Sequence, residues 1–352
     1  MKFIIFSDLQ AHNYSQYSYL IDGVNSRLMD VLSVLRDIKK YAIKNGIKNI
    51  LFCGDLFEAK SKIDIDVYVR VFNEFKLFKE AGLNIYGIVG NHDMYLRDGD
   101  INLHSLRPFS SVIEILNRSG VCIPNGKRKV MVYGLSFTDN LKNLIQYVNN
   151  IPNDNQYKIL LLHCDIDGAK VGPNDYRLKG SIKKDSFDYK KFKWVFLGHF
   201  HNYQCITKNM LYVGSPLQHN MGDRGFERGF LVLDVENNIT NRVITNSPTF
   251  IKVKYKGVVK GNFDNNFVEV RIHQKYIEKE SIQSIIDKFR NKGAVFVNPV
   301  IIGMIKDLPN KSSNIIHTMN FKDMIKRYVE LNGGVDSDGL QELGLSILGK
   351  VV

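Results

Sequence analysis

The chain has 352 residues, of which 44% are hydrophobic, and this length suits one large domain plus a smaller one. Its net charge of +12 favours a polyanionic partner such as nucleic acid, although a basic surplus also serves solubility. The four cysteines form no C-x-x-C pair, which argues against a disulfide framework and a structural zinc site. No apolar segment is long enough for a signal peptide or a membrane span, so we expect a soluble cytoplasmic protein.

Short apolar runs alternate with helical patterns over the first two-thirds of the chain. The runs, each typical of a strand buried on both faces, are residues 3–6, 50–53, 85–89, 159–162, 194–197 and 211–213. Apolar residues recur at helical spacing between the first two runs, over residues 28–42, and between the next two, over residues 67–78. Strand, helix and strand in this order predict an α/β layered fold over residues 1–245.

The pattern changes after residue 245. Residues 268–272 and 294–302 are typical of strands, and residues 281–290 of an amphipathic helix, which predicts a small β-α-β cap domain over residues 246–306. Residues 307–318 are predicted to form a linker, because their first half is a polar stretch with a proline. Residues 319–352 contain two short apolar stripes joined by Asn-Gly-Gly, which predicts a C-terminal helix-loop-helix.

Five of the apolar runs end in residues that can bind a metal ion. In chain order these residues are Asp8, Asp55, Asn91 with His92 and Asp93, His163, and His199 with His201. Ligands gather at the carboxyl ends of strands in an α/β sheet, so we expect these side chains to meet. Carboxylates, an amide and imidazoles without a thiolate suit a hard-to-borderline divalent cation. Asp55 could bridge two such ions, and Gly54 and Gly198 would allow tight turns before the ligands.

Each of these motifs has a simpler explanation when it is taken alone. A lone aspartate after a strand is commonly a helix cap or turn residue, and a single His-x-His commonly lies on the surface. Chance does not readily account for five such motifs, each at the exit of a strand. We therefore predict a metal centre.

The ordered series D-x-Q, G-D-x-x-E, G-N-H-D, H and G-H-x-H resembles the calcineurin-like metallophosphoesterase superfamily over residues 1 to about 235. The resemblance implies a layered β-sandwich flanked by helices. The segments GDLF at 54–57, YVGSP at 212–216 and RGF at 228–230 are similar to the SbcD branch. SbcD is the nuclease subunit of bacterial and phage SbcC–SbcD complexes, so the resemblance implies a DNA exo/endonuclease of end processing, repair or recombination.

The resemblance also implies roles for single residues. It places the first metal ion on Asp8, Asp55 and His201, and the second on Asp55, Asn91, His163 and His199. Manganese is the metal implied by the family, with magnesium as the other option. His92 matches the family's catalytic histidine, which would donate a proton to the leaving oxygen, and Asp93 is placed to orient it.

Two residues depart from the family pattern. Gln10 stands where a histidine is usual, and we expect its amide oxygen to be a weak ligand of the first metal ion. His12 could reach the metal or contact a substrate phosphate, which we favour, or it could be an ordinary loop histidine. Glu58 replaces a histidine that often touches the substrate. Its carboxylate would repel phosphate unless it is protonated, bound to metal or turned outward.

Basic residues in the loops after the ligand-bearing strands are candidates for DNA contacts. They are Arg97, Arg107, Arg177, Lys179, Lys183, Lys184, Arg224 and Arg228. The resemblance implies that residues 319–352 bind an SbcC-type ATPase, although they could instead fold back onto the cap domain. It further implies a homodimer, for which residues 103–116 could serve, although this run could equally be intramolecular core. The host would be a bacterial cell, which could be phage-infected.

Two other functions remain open on this sequence. A stand-alone phosphodiesterase would act on nucleotides or other small phosphoesters and would not need the C-terminal residues. A catalytically weakened scaffold subunit for the ATPase would explain Gln10 and Glu58, the two departures from the family pattern.

Overall fold

The computed structural model describes residues 1–58, 61–95, 103–126, 128–172, 176–177 and 182–303. Nearly all of them belong to one compact unit, Met1–Ile272 with Tyr276–Val300. The predicted linker at 307–318 and helix-loop-helix at 319–352 lie outside the described residues, as do Arg97, Lys179 and the side chain of Arg177.

The described residues contain nineteen strands and five α-helices. The strands are β1 (Lys2–Phe6), β2 (Leu20–Ile21), β3 (Val24–Asn25), β4 (Asn49–Phe52), β5 (Asn84–Gly87), β6 (Glu114–Ile115), β7 (Ser119–Asn125), β8 (Arg128–Leu135), β9 (Tyr157–His163), β10 (Lys170–Val171), β11 (Tyr176–Arg177), β12 (Trp194–Gly198), β13 (Gln204–Cys205), β14 (Met210–Tyr212), β15 (Gly229–Asp234), β16 (Ile239–Ile244), β17 (Thr249–Lys254), β18 (Asn266–His273) and β19 (Phe296–Ile302). The helices are α1 (Ser26–Lys44), α2 (Ile65–Glu80), α3 (Leu141–Asn150), α4 (Gln274–Ile277) and α5 (Ile282–Arg290).

Two six-stranded sheets form the body of the fold. The first has the order β16-β15-β1-β4-β5-β6, and the second has the order β13-β14-β12-β9-β8-β7. Strands β1, β4, β5 and β6 run parallel in the first sheet, as do β8, β9, β12 and β14 in the second. The loops that follow β1, β4 and β5 therefore leave one edge of the first sheet, and those after β9 and β12 leave one edge of the second.

The two sheets pack face to face. Side chains that alternate along the strands form the core between them, including Phe3 and Ile5 of β1, Leu51 of β4, Leu161 of β9 and Phe196 of β12. All five are fully buried. At about 25 cal/mol per Å² of apolar surface removed from water, such burial is the main force that holds the sheets together.

Helices cover the outer faces of the sandwich. Leu35 and Ile38 of α1 and Phe75 of α2 pack on the first sheet, and Leu144 and Val148 of α3 pack on the second. The Asn25 side chain caps α1 by accepting hydrogen bonds from two main-chain N–H groups of its first turn, Arg27 N at 3.1 Å and Leu28 N at 3.2 Å. The predicted layered α/β fold, a β-sandwich flanked by helices, is confirmed.

The apolar runs and helical patterns of the sequence correspond closely to part of this fold. The six predicted strands coincide with β1, β4, β5, β9, β12 and β14, and the two predicted helices with α1 and α2. Strands β7, β8, β15 and β16 and helix α3 were not predicted. Two of these omissions have a physical reason, because the half-exposed β7 and β16 lack the continuous apolar run that marks the predicted strands.

A separate three-stranded sheet, in the order β17-β18-β19, follows the sandwich in the chain. Helix α5 packs on it through Ile285 and Phe289, and the predicted strands at 268–272 and 294–302 and helix at 281–290 agree with β18, β19 and α5. Tyr17, from the loop after β1, contacts this sheet edge to face, with its ring 5.0 Å from that of Phe250. The predicted domain boundary at residue 245 stays a prediction.

Among the residues that the structure describes, no helix combines the length and the apolar character that a bilayer crossing requires.

Candidate metal centre

The loops at the ends of β4, β5, β9 and β12 bring four predicted ligands together. The Asn91 amide oxygen Oδ1 lies 3.0 Å from His163 Nε2 and 2.9 Å from His199 Nδ1. One ligand atom each of Asp55, His163 and His199 can be chosen so that all lie within 4.8 Å of one another. The first sheet supplies Asp55 and Asn91, and the second supplies the two histidines. The structure thus assembles the donor set that was predicted for the second metal ion.

The hydrogen bonds of the two histidines leave lone pairs facing the centre of this set. His163 Nδ1 donates to Cys53 O at 2.7 Å, so in the neutral ring the Nε2 lone pair faces Asn91 and Asp55. His199 Nε2 lies 2.6 Å from the Asp165 carboxylate, which leaves Nδ1 to face Asn91. Four lone-pair donors that converge without a hydrogen atom among them fit a divalent cation.

Asp55 gives the strongest local argument for a cation. Its Oδ2 atom is buried and accepts no hydrogen bond, although it lies 3.3 Å from His163 Nε2. Burial raises the pKa of Asp55, but the neighbouring imidazoles of His163 and His92 outweigh burial and hold that pKa below its usual range. A buried carboxylate oxygen that accepts no hydrogen bond is unfavourable, so this position suits a bound positive charge.

The carboxylates around His163 favour the protonated form of its ring. Burial by itself lowers the pKa of His163, whereas Asp55 and then Asp8 raise it, to about 9. The site therefore attracts positive charge, whether a proton or a metal ion supplies it.

Four of the ligand positions have a strained backbone. Asp8, Gln10, Asp55 and His199 adopt positive φ angles of 53°, 46°, 60° and 99°. Residues other than glycine in this region cost on the order of 1–3 kcal/mol each and persist only where the surroundings impose the conformation. His199 directly follows β12, and Asp8 and Asp55 lie close behind the ends of β1 and β4.

The two glycines next to the ligands have different roles. Gly54 has a φ of 92°, and a Cβ there would lie 2.7 Å from both Gly90 N and His163 Nδ1. Gly198 has no left-handed φ, so its backbone conformation alone does not require a glycine. The reason for a glycine at 198 is space, because a Cβ would lie only 2.2 Å from Cys53 O of the other sheet.

The residues predicted for the first metal ion lie beside this cluster. The Asp8 carboxylate is buried and accepts hydrogen bonds from His199 N at 3.0 and 3.1 Å. His201 Nδ1 lies 3.2 Å from the Asp223 carboxylate, which leaves Nε2 as the ring nitrogen for a metal. Although burial lowers the pKa of His201, Asp223 raises it overall. Gln10 is 6% exposed and lines a cavity of about 190 Å³ together with His12.

His92 lies between the metal ligands and Glu58. Its main-chain N–H donates to Asp55 Oδ1 at 2.8 Å, and its ring Nδ1 donates to Glu58 O at 2.8 Å. The Glu58 carboxylate is also 3.3 Å from Nδ1. This carboxylate is therefore turned toward the histidine.

The Asp93 side chain has contacts other than those predicted. It accepts hydrogen bonds from four main-chain N–H groups, those of Gly90, Asp55, Leu56 and Phe57, at 2.9 to 3.1 Å. The prediction placed Asp93 against the His92 ring, but Glu58 occupies that position. Burial and the nearby Asp55 raise the pKa of Asp93 to about 7. Asp93 thus ties the loop after β4 to the loop after β5.

The predicted DNA contacts divide into buried and accessible residues. Arg228 is 2% exposed, and its guanidinium donates to Ser215 Oγ, Asn202 Oδ1 and main-chain oxygens, so the prediction that it contacts substrate is corrected by its burial. Arg224 donates to Met221 O at 2.8 Å and is partly exposed. Lys183 and Lys184 are exposed and line a cavity of about 690 Å³.

Several residues of the site were not predicted from the sequence. Asp165 and Asp223 contact the ring nitrogens of His199 and His201 that face away from the centre, as carboxylates commonly do behind metal-binding histidines. Asp165 follows His163 by two residues, and this spacing could have suggested it. Asp223 and His219 lie in the loop between β14 and β15, where no pattern marks them.

Residues 1–203 match the family of calcineurin-like phosphoesterases, and the chain belongs to that family. It is a metal-dependent phosphoesterase.

Relatives are found among proteins named as nucleases or repair proteins. The chain is 23% identical to the SbcD component of the nuclease SbcCD of Staphylococcus epidermidis over 82% of this chain and 83% of that protein. It is 26% identical to exonuclease subunit 1 of Enterobacteria phage T4 over 64% of this chain and 63% of the phage protein. It is 28% identical to the DNA double-strand break repair protein Mre11 of Sulfurisphaera tokodaii over 76% and 69% of the two chains.

The four N–H groups on Asp93 predict a large structural effect of Asp93→Asn. An amide NH₂ would face some of these donors, and each buried donor left without an acceptor costs about 1–3 kcal/mol. The free energy of unfolding in urea should fall by about 2–4 kcal/mol. Asp139→Asn, at an exposed carboxylate, is the control. Equal stability of the two variants would contradict this assignment.

Proposed function

We propose that the protein is a two-metal DNA phosphodiester hydrolase, an exo/endonuclease that works with an SbcC-type ATPase in DNA end processing, repair or recombination. The observation that carries the proposal is the convergence of Asp55, Asn91, His163 and His199 at the junction of the two sheets. The names of the relatives support DNA as the substrate, and the positive net charge agrees with it.

The donor set assigns residues to each metal ion. Asp55, Asn91, His163 and His199 would hold one ion, and Asp8, Gln10, Asp55 and His201 the other. When bound, two divalent cations, Mn²⁺ or alternatively Mg²⁺, would polarise the phosphodiester and lower the pKa of a bound water. His92 Nδ1 is held by Glu58, so in the doubly protonated ring the Nε2 proton would be available to the leaving oxygen. Asp93 enters the proposal as a positioning residue that acts on the loops after β4 and β5, and not on the His92 ring.

A change of the shared carboxylate tests the hydrolase proposal. Wild-type protein with Mn²⁺ should digest labelled duplex DNA, whereas Asp55→Asn should lose activity by at least about 100-fold, since the amide is neutral and a weaker ligand. Bound Mn²⁺ should fall in the same variant.

Asp139→Asn should behave as wild type in both measurements. If Asp55→Asn digests DNA at the wild-type rate, the metal centre is not the site of the reaction.

Accessible basic residues lie beside the proposed centre. Lys183 and Lys184 line the cavity of about 690 Å³, which shares Lys170 and Asn202 with a smaller cavity of about 230 Å³ lined by His199 and His201. The larger cavity therefore continues from the region of the metal ligands. We propose that its lysines contact phosphates of the bound DNA on either side of the scissile bond.

Salt dependence tests this contact. Each neutralised phosphate contributes about 0.9 to the slope of log affinity against log salt concentration, so Lys183→Ala with Lys184→Ala should reduce the slope by about 1–2. Lys190→Ala with Lys193→Ala, two exposed lysines outside this cavity, is the matched control. If the DNA affinity of the wild type does not change with salt concentration, a stand-alone phosphodiesterase of small substrates is favoured instead.

The partner proposal rests on the sequence of residues 319–352 and on the names of the relatives. Two short amphipathic helices, as predicted for this segment, would be marginal alone and would need a surface to cover their apolar faces. We propose that this surface is the SbcC-type ATPase. A homodimer of the nuclease subunit and a cytoplasmic location remain predictions of the same proposal.

Removal of residues 315–352 tests the partner. The shortened chain should no longer co-purify with the ATPase encoded in the same genome, because the apolar stripes are gone. Its Mn²⁺ content should stay that of the full chain, since every proposed ligand precedes residue 202. Undiminished association would show that the contact lies elsewhere.

A further inference from the structure

His219 and Tyr14 contact the main chain of the segment that carries Asp8 and Gln10. His219 Nε2 donates to Asp8 O at 2.9 Å, and the Tyr14 hydroxyl lies 3.2 Å from Gln10 O. Both carbonyls belong to residues with left-handed backbone conformations. Because such conformations require support from their surroundings, these two contacts act on the shape of the segment itself.

The opposite side of the segment is held by the neighbouring strand exit. Asp8 N donates to Gly54 O at 2.9 Å, and Gln10 N donates to Asp55 O at 3.1 Å. The segment is therefore clamped from both sides. On one side the clamp is the loop with the shared carboxylate, and on the other side it is His219 with Tyr14.

The same histidine also contacts His201. The two rings meet edge to face with centroids 4.7 Å apart, and the Asp223 carboxylate accepts both His219 N, at 2.8 Å, and His201 Nδ1. Since Nε2 of His219 donates to a carbonyl, Nδ1 of the neutral ring is an acceptor that lies 3.1 Å from the Tyr14 hydroxyl, whose one proton is shared between this nitrogen and Gln10 O. His219 thus connects two of the three strand exits from which the proposed ligands of the first metal ion come, those after β1 and β12.

His219 and Tyr14 are themselves fixed by Arg27. The Arg27 guanidinium donates to His219 O at 2.9 Å and to Gln218 O at 2.8 Å. It also lies 3.9 Å from the centre of the Tyr14 ring, a favourable cation–π distance. Arg27 is 2% exposed, so solvent does not compete for these contacts. The unit of His219, Tyr14 and Arg27 is a rigid support behind the first metal position.

We propose that His219 is a positioning residue which, with Tyr14, holds Asp8, Gln10 and His201 in the arrangement that binds the first metal ion. The inference rests on the two-metal site proposed above. It assigns His219 no contact with substrate or metal. Its loss acts mainly on the first ion, because the contacts of His219 and Tyr14 described above reach Asp8, Gln10 and His201, and not Asn91, His163 or His199.

Metal binding by the full-length protein tests the proposal without any substrate. Equilibrium dialysis should give two Mn²⁺ per wild-type chain, and electron paramagnetic resonance should detect the coupling of the two ions. His219→Ala should keep one Mn²⁺ and lose the coupled signal. His219→Gln, whose amide can still donate toward Asp8 O, should restore much of the second ion. Tyr14→Phe should weaken the first site by roughly tenfold, the effect of one buried hydrogen bond.

Tyr68→Phe, which removes a buried hydroxyl of α2 that has no hydrogen-bond partner, is the matched control and should bind both ions normally. If His219→Ala does not fold, Tyr14→Phe and His219→Gln decide the question. Two coupled ions bound with wild-type affinity in His219→Ala or in Tyr14→Phe would overturn the proposal, and so would a wild type that binds one ion. Absence of DNA cleavage would overturn the hydrolase proposal alone.

Discussion

The metal centre depends on the hydrogen bonds that join the two sheets at the ends of their parallel strands. His163 of the second sheet donates to Cys53 O of the first at 2.7 Å, and His199 N donates to the Asp8 carboxylate. Gly198 permits this approach because it has no side chain. The apolar core brings the sheets face to face, but these few polar contacts set the relative position of their ends. Side chains from both sheets therefore converge on the candidate metal centre.

The fold could be predicted from the sequence where strands are buried on both faces. The sequences of β1, β4, β9 and β12 are continuous apolar runs. Such runs are easily distinguished from the spaced apolar residues of helices α1 and α2. β7 and β16 alternate with one face exposed, so they resemble loop sequence. β15 is a nearly continuous apolar run, so its own sequence would have sufficed to predict it. The pairing of two separate sheets followed from the family resemblance, not from periodicity.

The candidate site could be predicted to the extent that its residues end a strand. Asp55, Asn91, His163 and His199 come together as their positions in the sequence suggest. Residues that act through other residues left no such mark. His219 is separated from Asp8 by 211 positions, and only the folded chain brings them into contact. The sequence also could not indicate that Glu58 turns toward His92 or that the charge of Arg228 is used inside the protein.

The three-stranded sheet is part of the frame around the catalytic loops. Phe250 N donates to the Gln218 side chain at 2.6 Å, and the rings of Phe250 and Phe267 lie 4.9 and 5.0 Å from the Arg27 guanidinium. A polypeptide that ends at residue 245 would lack the Phe250 and Phe267 rings and would expose the Arg27 guanidinium to water. Hydration of this cation would weaken its contacts with Tyr14 and His219. A minimal catalytic fragment must therefore extend well beyond the sandwich, and fusion partners belong after this sheet.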